Sequence, residues 1–298
     1  MKYLAYIITI FLLRLLASMP KSILYLNADV LSFILHYIAR YRKNVIRNNL
    51  RSSFPKASEK EIKTLIRKFY KHLADVIVEN GVIQFYSKKR LQKMFSFSNP
   101  EVINKYYEQG RDIILITGHY NNWEWSATLS YTFDHLVVIV YRPLTNKYFN
   151  RKINNSRTRF GAAVVPMGNI GRALFEYKDQ GIPTLTGMAG DQRPGWRNVQ
   201  YWTEFLGQKT AVLTGSEKLA KKIDAVVVFM KVRRKSRGVY SAEIELITDK
   251  PKETEPNEIT EKQAKILEKL ILEEPANWLW SHRRWKFTYE QWKELKGI

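Results

Sequence analysis

Short apolar runs alternate with helical patterns along most of this 298-residue chain. The apolar runs predict strands at residues 113–116, 136–141, 163–166, 183–188 and 225–232, and alternation with a period of two predicts another at residues 239–247. Helical spacing predicts helices at residues 146–160, 169–180, 215–223 and 258–272, and an earlier helix from a capping box at residues 58–61 to about residue 79. This order predicts an α/β fold: a mixed, partly parallel sheet flanked by helices, with one antiparallel edge.

The N-terminal segment has a different pattern, because its apolar stretches are long. Residues 3–19 contain one charged side chain, Arg14, and are about as long as the shortest helix that spans a membrane. A signal peptide is the alternative, but Pro20 follows the small residues at which cleavage would occur. An uncleaved N-terminal membrane helix is therefore expected.

The next apolar stretch, residues 22–39, carries a polar stripe of Asp29, Ser32 and His36. Such a stripe is typical of a helix that lies on the membrane or dips into it. A cluster of arginines and lysines follows at residues 40–51, which indicates contact with anionic headgroups on the cytoplasmic face. We expect residues 1–52 to form a membrane anchor with a basic interfacial helix, and residues 53–298 to form the α/β domain.

The net charge and the cysteine content limit the kinds of partner and chemistry that this protein can have. Lysine and arginine number 49 against 28 acidic residues, a net charge of +21, which is typical of proteins that bind nucleic acid, an anionic membrane or anionic substrates. The N-terminal pattern favours the membrane, and no sequence signature of a common nucleic-acid-binding module is visible. Because the chain has no cysteine, disulfides, thiolate catalysis and cysteine-based zinc sites are excluded.

The candidate chemistry lies directly after the strand at residues 113–116. His119 follows Thr117 and Gly118 in a predicted strand-to-helix turn, and Glu124 follows five residues later. If Glu124 lies in the first helical turn, its carboxylate can hold one imidazole nitrogen while the other nitrogen faces a substrate hydroxyl. The alternative is a structural pair, which is the commoner role of a histidine beside a carboxylate.

Two further polar groups follow predicted strands, at the sheet edge where α/β proteins bind ligands. Arg142, after residues 136–141, is a candidate to clamp a phosphate or polarise an acyl carbonyl, or is a surface arginine. Asp191, after residues 183–188, is a candidate to bind a sugar or amine of an acceptor, or lies in an ordinary turn. Arg157 and Arg159 lie on a basic predicted helix, where membrane headgroups are the simpler partner.

The motif at residues 118–124, Gly-His-Tyr-Asn-Asn-Trp-Glu, resembles the Gly-His-x-x-Asn-Trp-Glu signature of the bacterial lipid A late acyltransferases, the lauroyl/myristoyl acyltransferase family. That family is a branch of the glycerolipid acyltransferases, which share a His-x-x-x-x-Asp/Glu motif. Further short matches follow in the same order: Tyr141-Arg142-Pro143, Arg157-Thr158-Arg159-Phe160-Gly161, Asp191-Gln192, Phe205-Leu206-Gly207 and Trp278-Leu279-Trp280-Ser281-His282-Arg283-Arg284. One departure is Val-Val-Val-Phe at residues 226–229, where the family often has a proline.

The resemblance implies transfer of a fatty acyl chain from acyl carrier protein to a hydroxyl of a lipid A precursor. It implies catalysis at the cytoplasmic face of the bacterial inner membrane, with acyl carrier protein, the lipid acceptor and the membrane as partners and with no cofactor or metal. Carried over, His119 is the general base and Glu124 its orienting partner. Asn122, Arg142, Arg159 and Asp191 are then assigned to substrate binding.

Three alternatives remain open. The first is an acyltransferase that acts on a lysophospholipid or an amino-acid lipid. The second is a non-catalytic basic protein of the membrane surface, in which His119 and Glu124 form only a buried pair. The third is a hydrolase in which water replaces the acceptor.

Overall fold

A central sheet carries helices on both faces. The structure, a computed structural model, describes residues 2–141, 143, 145 and 147–297, and their side chains except those of residues 2–6, 127, 147–149, 152, 153 and 156. The α-helices of this part are α1 (Lys2–Ser18), α2 (Lys21–Phe33), α3 (Lys43–Ser53), α4 (Glu59–Val82), α5 (Lys88–Met94), α6 (Glu101–Glu108), α7 (Lys147–Thr158), α8 (Ile170–Asp179), α9 (Gly215–Ile223), α10 (Glu258–Glu273) and α11 (Tyr289–Lys296).

Within the described residues, the main sheet has seven strands in the order β1-β9-β8-β2-β5-β3-β4. The strands are β1 (Phe95–Phe97), β2 (Ile113–Thr117), β3 (Leu136–Tyr141), β4 (Ala163–Pro166), β5 (Thr184–Ala189), β8 (Val226–Ser236) and β9 (Val239–Thr248), and a separate hairpin pairs β6 (Tyr201–Phe205) with β7 (Gln208–Val212). Five neighbouring strands, from β8 to β4, are parallel. The α/β class with a mostly parallel sheet is therefore confirmed.

The core explains why the central strands are apolar at successive positions. Ile113 and Leu115 of β2 pack in a cluster on one face of the sheet, and Ile114 and Ile116 pack in a second cluster on the other face. Successive side chains of a strand point to opposite faces, so a strand covered by helices on both sides needs apolar residues throughout. All five residues of β2 are buried as a result.

The predicted antiparallel edge needs one correction. β9 runs antiparallel to β8, as predicted, but it is not the edge strand, because β1 pairs with it in parallel on the outside. β1 has three residues, too few to show a period in the sequence. The segment after His119 also differs from a regular α-helix, because Trp123–Tyr131 forms a 3-10 helix.

The N-terminal helices pack on the rest of the chain through one side only. Ala17, Leu24, Tyr25 and Ala28 are buried in the core cluster that also contains Ile113 and Leu115. In the described part of the chain, no single helix is long and apolar enough to cross a membrane. Lys21–Ile38 and Lys43–Ser53 pass that test only as a pair, bent by 89°. The N-terminal membrane helix and the domain division at residue 52 remain predictions.

Candidate active site

The register of β2 and β5 positions the two central side chains. The strands are adjacent and parallel, and Thr117 at the end of β2 is paired with Ala189 at the end of β5. His119 and Asp191 each lie two residues beyond this pair. The backbone N–H of Gly190 donates to the Thr117 carbonyl at 3.1 Å, which extends the pairing into the turns. The carboxyl ends of two neighbouring strands thus bring His119 and Asp191 together.

Asp191 holds His119 at two atoms. Its Oδ1 lies 2.6 Å from Nδ1 of the imidazole, and its Oδ2 accepts the backbone N–H of His119 at 2.9 Å. The Asp191 side chain is 4% exposed, whereas that of His119 is 16% exposed and borders a cavity. These contacts leave the imidazole no freedom to rotate without breaking a hydrogen bond to a buried carboxylate.

A segment near the C-terminus also contributes to the position of the Asp191 carboxylate. The indole N–H of Trp278 donates to Asp191 Oδ2 at 2.8 Å. Trp278 is positioned because its segment pairs with the turn: the backbone N–H of Leu279 donates to the His119 carbonyl at 3.1 Å, and that of Asn121 donates to the Asn277 carbonyl at 2.9 Å. Residues near the end of the chain therefore order the turn that carries His119.

The hydrogen bonds assign the imidazole tautomer. Nδ1 carries the proton that it donates to Asp191, so Nε2 has a free lone pair. The amide nitrogen of Gln192 lies 3.0 Å from Nε2 and can donate to it. An imidazole held in this way can accept a proton at Nε2 from a hydroxyl that takes the place of Gln192.

The surroundings shift both pKa values. Burial lowers the pKa of His119, but the charge and hydrogen bond of Asp191, with a further contribution from Glu124, raise it above its ordinary value. Burial raises the pKa of Asp191, but His119 and the Trp278 indole N–H outweigh that effect and lower it. Asp191 is therefore an anion that stabilises the imidazolium formed when His119 takes a proton.

A cavity of about 330 Å³ opens beside His119. Polar and apolar side chains share its wall: the apolar part includes Leu115, Ile139 and Met188, and the polar part includes Glu124, Ser126 and Arg157. The ring of Trp123 lies against the imidazole, with 4.8 Å between centroids. The cavity thus offers an apolar surface and charged groups next to one basic nitrogen.

The predicted contact between Glu124 and His119 is wrong. Glu124 lines the same cavity, but its carboxylate accepts from Arg157 at 3.1 Å, and the imidazole nitrogen predicted for it is held by Asp191. The 3-10 helix starts with Trp123, so Glu124 projects across the cavity toward α7. A direct catalytic role for Glu124 remains a prediction.

The other predicted substrate-binding residues have different positions. Asn122 is fully buried behind the turn and donates to Glu79 at 2.7 Å, so its predicted contact with substrate is not seen. Arg159 lines a separate cavity and donates to the Tyr86 carbonyl at 3.2 Å. Arg142 lies outside the described residues, so its role remains a prediction.

Sequence reasoning missed the roles of several residues at the site. Trp278, which the sequence showed only as part of a short match to the family, is buried and hydrogen bonds Asp191. Arg157 was expected to face headgroups and instead pairs with Glu124 at the cavity. The sequence did contain a signal for the pairing of His119 with Asp191, because each residue follows the end of an apolar run by three positions.

Comparisons with known proteins show the family of this chain. A family model described as bacterial lipid A biosynthesis acyltransferase matches residues 1–287. The chain belongs to this family. It is similar to the lipid A biosynthesis lauroyltransferase of Escherichia coli, with 25% identity over 279 residues that cover 92% of this chain and 89% of the relative. The predicted family and the predicted enzyme class, an acyltransferase, are confirmed.

Other members of the lipid A biosynthesis acyltransferase family are similar over comparable lengths. The palmitoleoyltransferase of E. coli is 24% identical over 247 residues, which cover 82% of this chain and 79% of the relative. A lipid A biosynthesis acyltransferase of Haemophilus influenzae is 27% identical over 236 residues, with coverage of 79% and 73%. The matches extend over most of the sheet and therefore include the strands that carry His119 and Asp191.

Proposed function

We propose that this acyltransferase moves a fatty acyl chain from an acyl carrier protein thioester to a hydroxyl of a lipid A precursor, with His119 as the general base. The observation that carries the proposal is the 2.6 Å hydrogen bond between His119 Nδ1 and the buried Asp191, which presents the other ring nitrogen as an acceptor. The names of the similar enzymes support the lipid A acceptor.

The reaction needs two proton transfers through one nitrogen. His119 Nε2 removes the proton of the acceptor hydroxyl as its oxygen attacks the thioester carbonyl carbon. The tetrahedral intermediate then collapses, the carbon–sulfur bond breaks, and the imidazolium returns the proton to the departing thiolate. Asp191 stabilises the imidazolium between these steps, and general base catalysis of this type contributes about 10²–10⁴-fold to the rate.

The negative charge of the intermediate requires a partner in the cavity. Among the described residues that line the cavity, Arg157 is the only lysine or arginine, and an ion pair with Glu124 holds it there. A guanidinium at this position stabilises the oxyanion more strongly in an apolar cavity than it would in water. In this mechanism Glu124 acts on catalysis by orienting Arg157, and through its smaller effect on the pKa of His119.

An exposed apolar surface supports location at the inner membrane. Large apolar side chains of the first helices are at least 40% exposed, and so many exposed apolar side chains in one segment are unusual in contact with water. They are Ile7, Ile8, Phe11, Leu12, Leu15, Ile23, Leu26, Val30, Phe33, Ile34, Tyr37 and Ile38. We propose that this surface enters the membrane, with the catalytic part on the cytoplasmic face and the basic residues 40–51 available to the acidic carrier protein.

The deciding experiment is acyl transfer in membranes that contain the wild type, His119→Ala or His135→Gln. The donors are acyl carrier protein thioesters, and the acceptors are a lipid A precursor, a lysophospholipid and an amino-acid lipid. His135 is a matched control, because it contacts the Arg111 carbonyl near the start of β3 and glutamine keeps a donor there. We expect transfer to the lipid A precursor by the wild type and His135→Gln only.

Other outcomes would separate the alternatives. Transfer to another lipid alone would change the proposed acceptor and keep the mechanism. Equal transfer by the wild type and His119→Ala would mean that His119 is structural and would overturn the mechanism. Release of free fatty acid by the wild type without any acceptor product would indicate a hydrolase.

A further inference from the structure

A second cavity, of about 540 Å³, is surrounded by three arginines from distant parts of the chain. Arg14 comes from α1, Arg90 from α5, and Arg159 from the residue after α7. The hydroxyl-bearing residues Ser18 and Ser87 also line this cavity. We call the three guanidinium groups the arginine triad.

Neutral groups hold two members of the arginine triad, Arg90 and Arg159, in place. Arg159 donates to the Tyr86 carbonyl at 3.2 Å and also to the Gln84 carbonyl. Arg90 donates to the Ala17 carbonyl at 3.4 Å, and its guanidinium lies 3.6 Å from the centroid of the Tyr86 ring. No aspartate or glutamate is among the described residues that line the cavity, and none forms a salt bridge with the triad there. Three positive charges therefore share one cavity without a counter-charge from the described side chains.

This arrangement favours an anionic ligand. Like charges around one cavity repel each other, and an anion between them removes that repulsion. Guanidinium groups bind phosphate oxygens with paired N–H donors. The Ser87 hydroxyl accepts the backbone N–H of Arg90 at 3.3 Å and can donate its own proton to a further oxygen. The donor set is thus suited to a phosphate group.

The surface next to the cavity is apolar. On α1, Phe11, Leu12 and Leu15 are 66%, 54% and 48% exposed, and all lie within one helical turn of Arg14. A ligand that satisfies both features has an anionic head and hydrocarbon chains. We propose that the arginine triad binds the phosphate group of an amphipathic lipid.

The triad is linked to the active site by α7. Arg157 lines the cavity of His119, and Arg159, two residues further along, lines the triad cavity. Two residues correspond to about 200° of helical rotation, so the two arginines project to opposite sides of the end of α7. A lipid phosphate bound by the triad would therefore lie across the end of α7 from the reacting hydroxyl. This link to the acceptor rests on the proposed function, whereas phosphate binding by the triad does not.

The binding test compares two double variants of the full chain that each remove two positive charges. Arg14→Ala/Arg90→Ala removes two members of the triad, and Lys88→Ala/Lys89→Ala removes two neighbouring charges on α5 that do not line the cavity. Binding is measured by co-sedimentation with vesicles that contain phosphatidylglycerol, against phosphatidylcholine alone. We expect the triad variant to lose about tenfold in affinity for the anionic vesicles, and the lysine variant to lose about twofold or less.

The kinetic test identifies the source of the phosphate. If the triad holds the acceptor, Arg14→Ala/Arg90→Ala raises the KM for a phosphorylated lipid A precursor about tenfold and leaves kcat within about twofold. The same variant then has no effect with a dephosphorylated precursor. A loss of vesicle binding without this change in KM identifies a membrane phospholipid as the ligand. Arg14→Lys/Arg90→Lys should recover only part of the binding, because an ammonium group keeps the charge but lacks the paired N–H donors of a guanidinium.

Two results have separate meanings. Equal losses in the triad variant and the lysine variant, in both assays, would overturn the phosphate site, because they would reflect net charge alone. Absence of acyl transfer by the wild type would instead overturn the proposed function. The vesicle measurement would still test whether the triad binds phosphate.

Discussion

The Nδ1 atom of His119 lies 2.6 Å from Oδ1 of Asp191, a residue 72 positions further along the chain. The nearer carboxylate in the sequence, that of Glu124, binds Arg157 instead. The residue that orients the imidazole therefore follows a neighbouring strand and does not come from the histidine's own motif. This pairing separates the roles of the two acidic residues, because Asp191 contacts the imidazole and Glu124 contacts a cation in the cavity.

Replacing Asp191 with asparagine should change both the rate and its pH dependence. In the proposed mechanism activity requires neutral His119, so the acidic limb of kcat/KM should follow the pKa of this residue. Asp191 raises that pKa, and burial lowers it, so Asp191→Asn should move the acidic limb to lower pH. It should also reduce kcat by about 10²–10⁴-fold, because the imidazolium loses its counter-charge. The measurement is a pH profile of acyl transfer under subsaturating acceptor.

Glu124→Gln is the matched comparison for that profile. Glu124 contributes less than Asp191 to raising the pKa of His119, so the limb should move in the same direction by a smaller amount. A limb that stays in place in Asp191→Asn, or moves to higher pH, would contradict the assignment of Asp191 as the partner of the base.

Ser126 should be dispensable for catalysis. It lines the cavity of His119, which makes it the described serine best placed to act as a nucleophile. However, no hydrogen bond joins it to His119, whose Nδ1 and Nε2 are paired with Asp191 and Gln192. We expect Ser126→Ala to keep kcat within about twofold, because the acceptor supplies the attacking hydroxyl. Mass spectrometry of the enzyme quenched with donor alone should find no acylated protein, and a trapped acyl-serine would refute direct transfer.

Asn122 should act on stability and not on substrate binding. Its amide donates at 2.7 Å to Glu79, which also accepts from Tyr25 at 2.8 Å and from Tyr240 at 2.7 Å. Asn122→Ala removes one of three donors from a buried carboxylate, which should lower the free energy of unfolding by about 1–3 kcal/mol. Denaturant unfolding in detergent measures this loss.

The exposed Asn48→Ala on α3 is the control for Asn122, with an expected change of at most about 0.5 kcal/mol. Burial raises the pKa of Glu79 and the three donors oppose this, so removal of Asn122 raises that pKa further. The extra destabilisation of the variant should therefore grow as the pH rises through the pKa of Glu79 in the folded wild type, because Glu79 stays protonated to higher pH in the variant. If Asn122→Ala raises the KM for the acceptor and leaves stability unchanged, Asn122 binds substrate and the structural role is wrong.

Gly118 should be required for close packing of α10 against the turn. A Cβ atom at this position would lie 2.6 Å from Cδ1 of the buried Leu267. Gly118→Ala should therefore destabilise the protein by about 1–3 kcal/mol through overpacking. In thermal unfolding, Gly171→Ala in α8 is the control and should be neutral or stabilising, because nothing lies within 4 Å of its added Cβ. Additive losses in Gly118→Ala and Leu267→Ala, with no recovery in the double variant, would contradict this contact.

The sequence predicted the main elements well because their signals are local. Residues 136–141, 163–166 and 215–223 form the predicted elements with the same bounds. β1 and the hairpin of β6 and β7 were missed, because strands of three to five residues show too few periods. The site was predicted in part: His119 and Asp191 were both placed at strand ends, but with Glu124 as the partner of His119.

The sequence by itself determined that two polar residues, His119 and Asp191, each follow an apolar run by three positions. This information is local, since an apolar run shows burial and the residue after it marks the sheet edge. The tertiary structure decided that β2 and β5 are neighbours with Thr117 opposite Ala189, and that Trp278 closes over Asp191. Strand order and register depend on packing between segments that are distant in the chain. The hydrophobic period of a single segment does not show which strand lies beside it in the sheet.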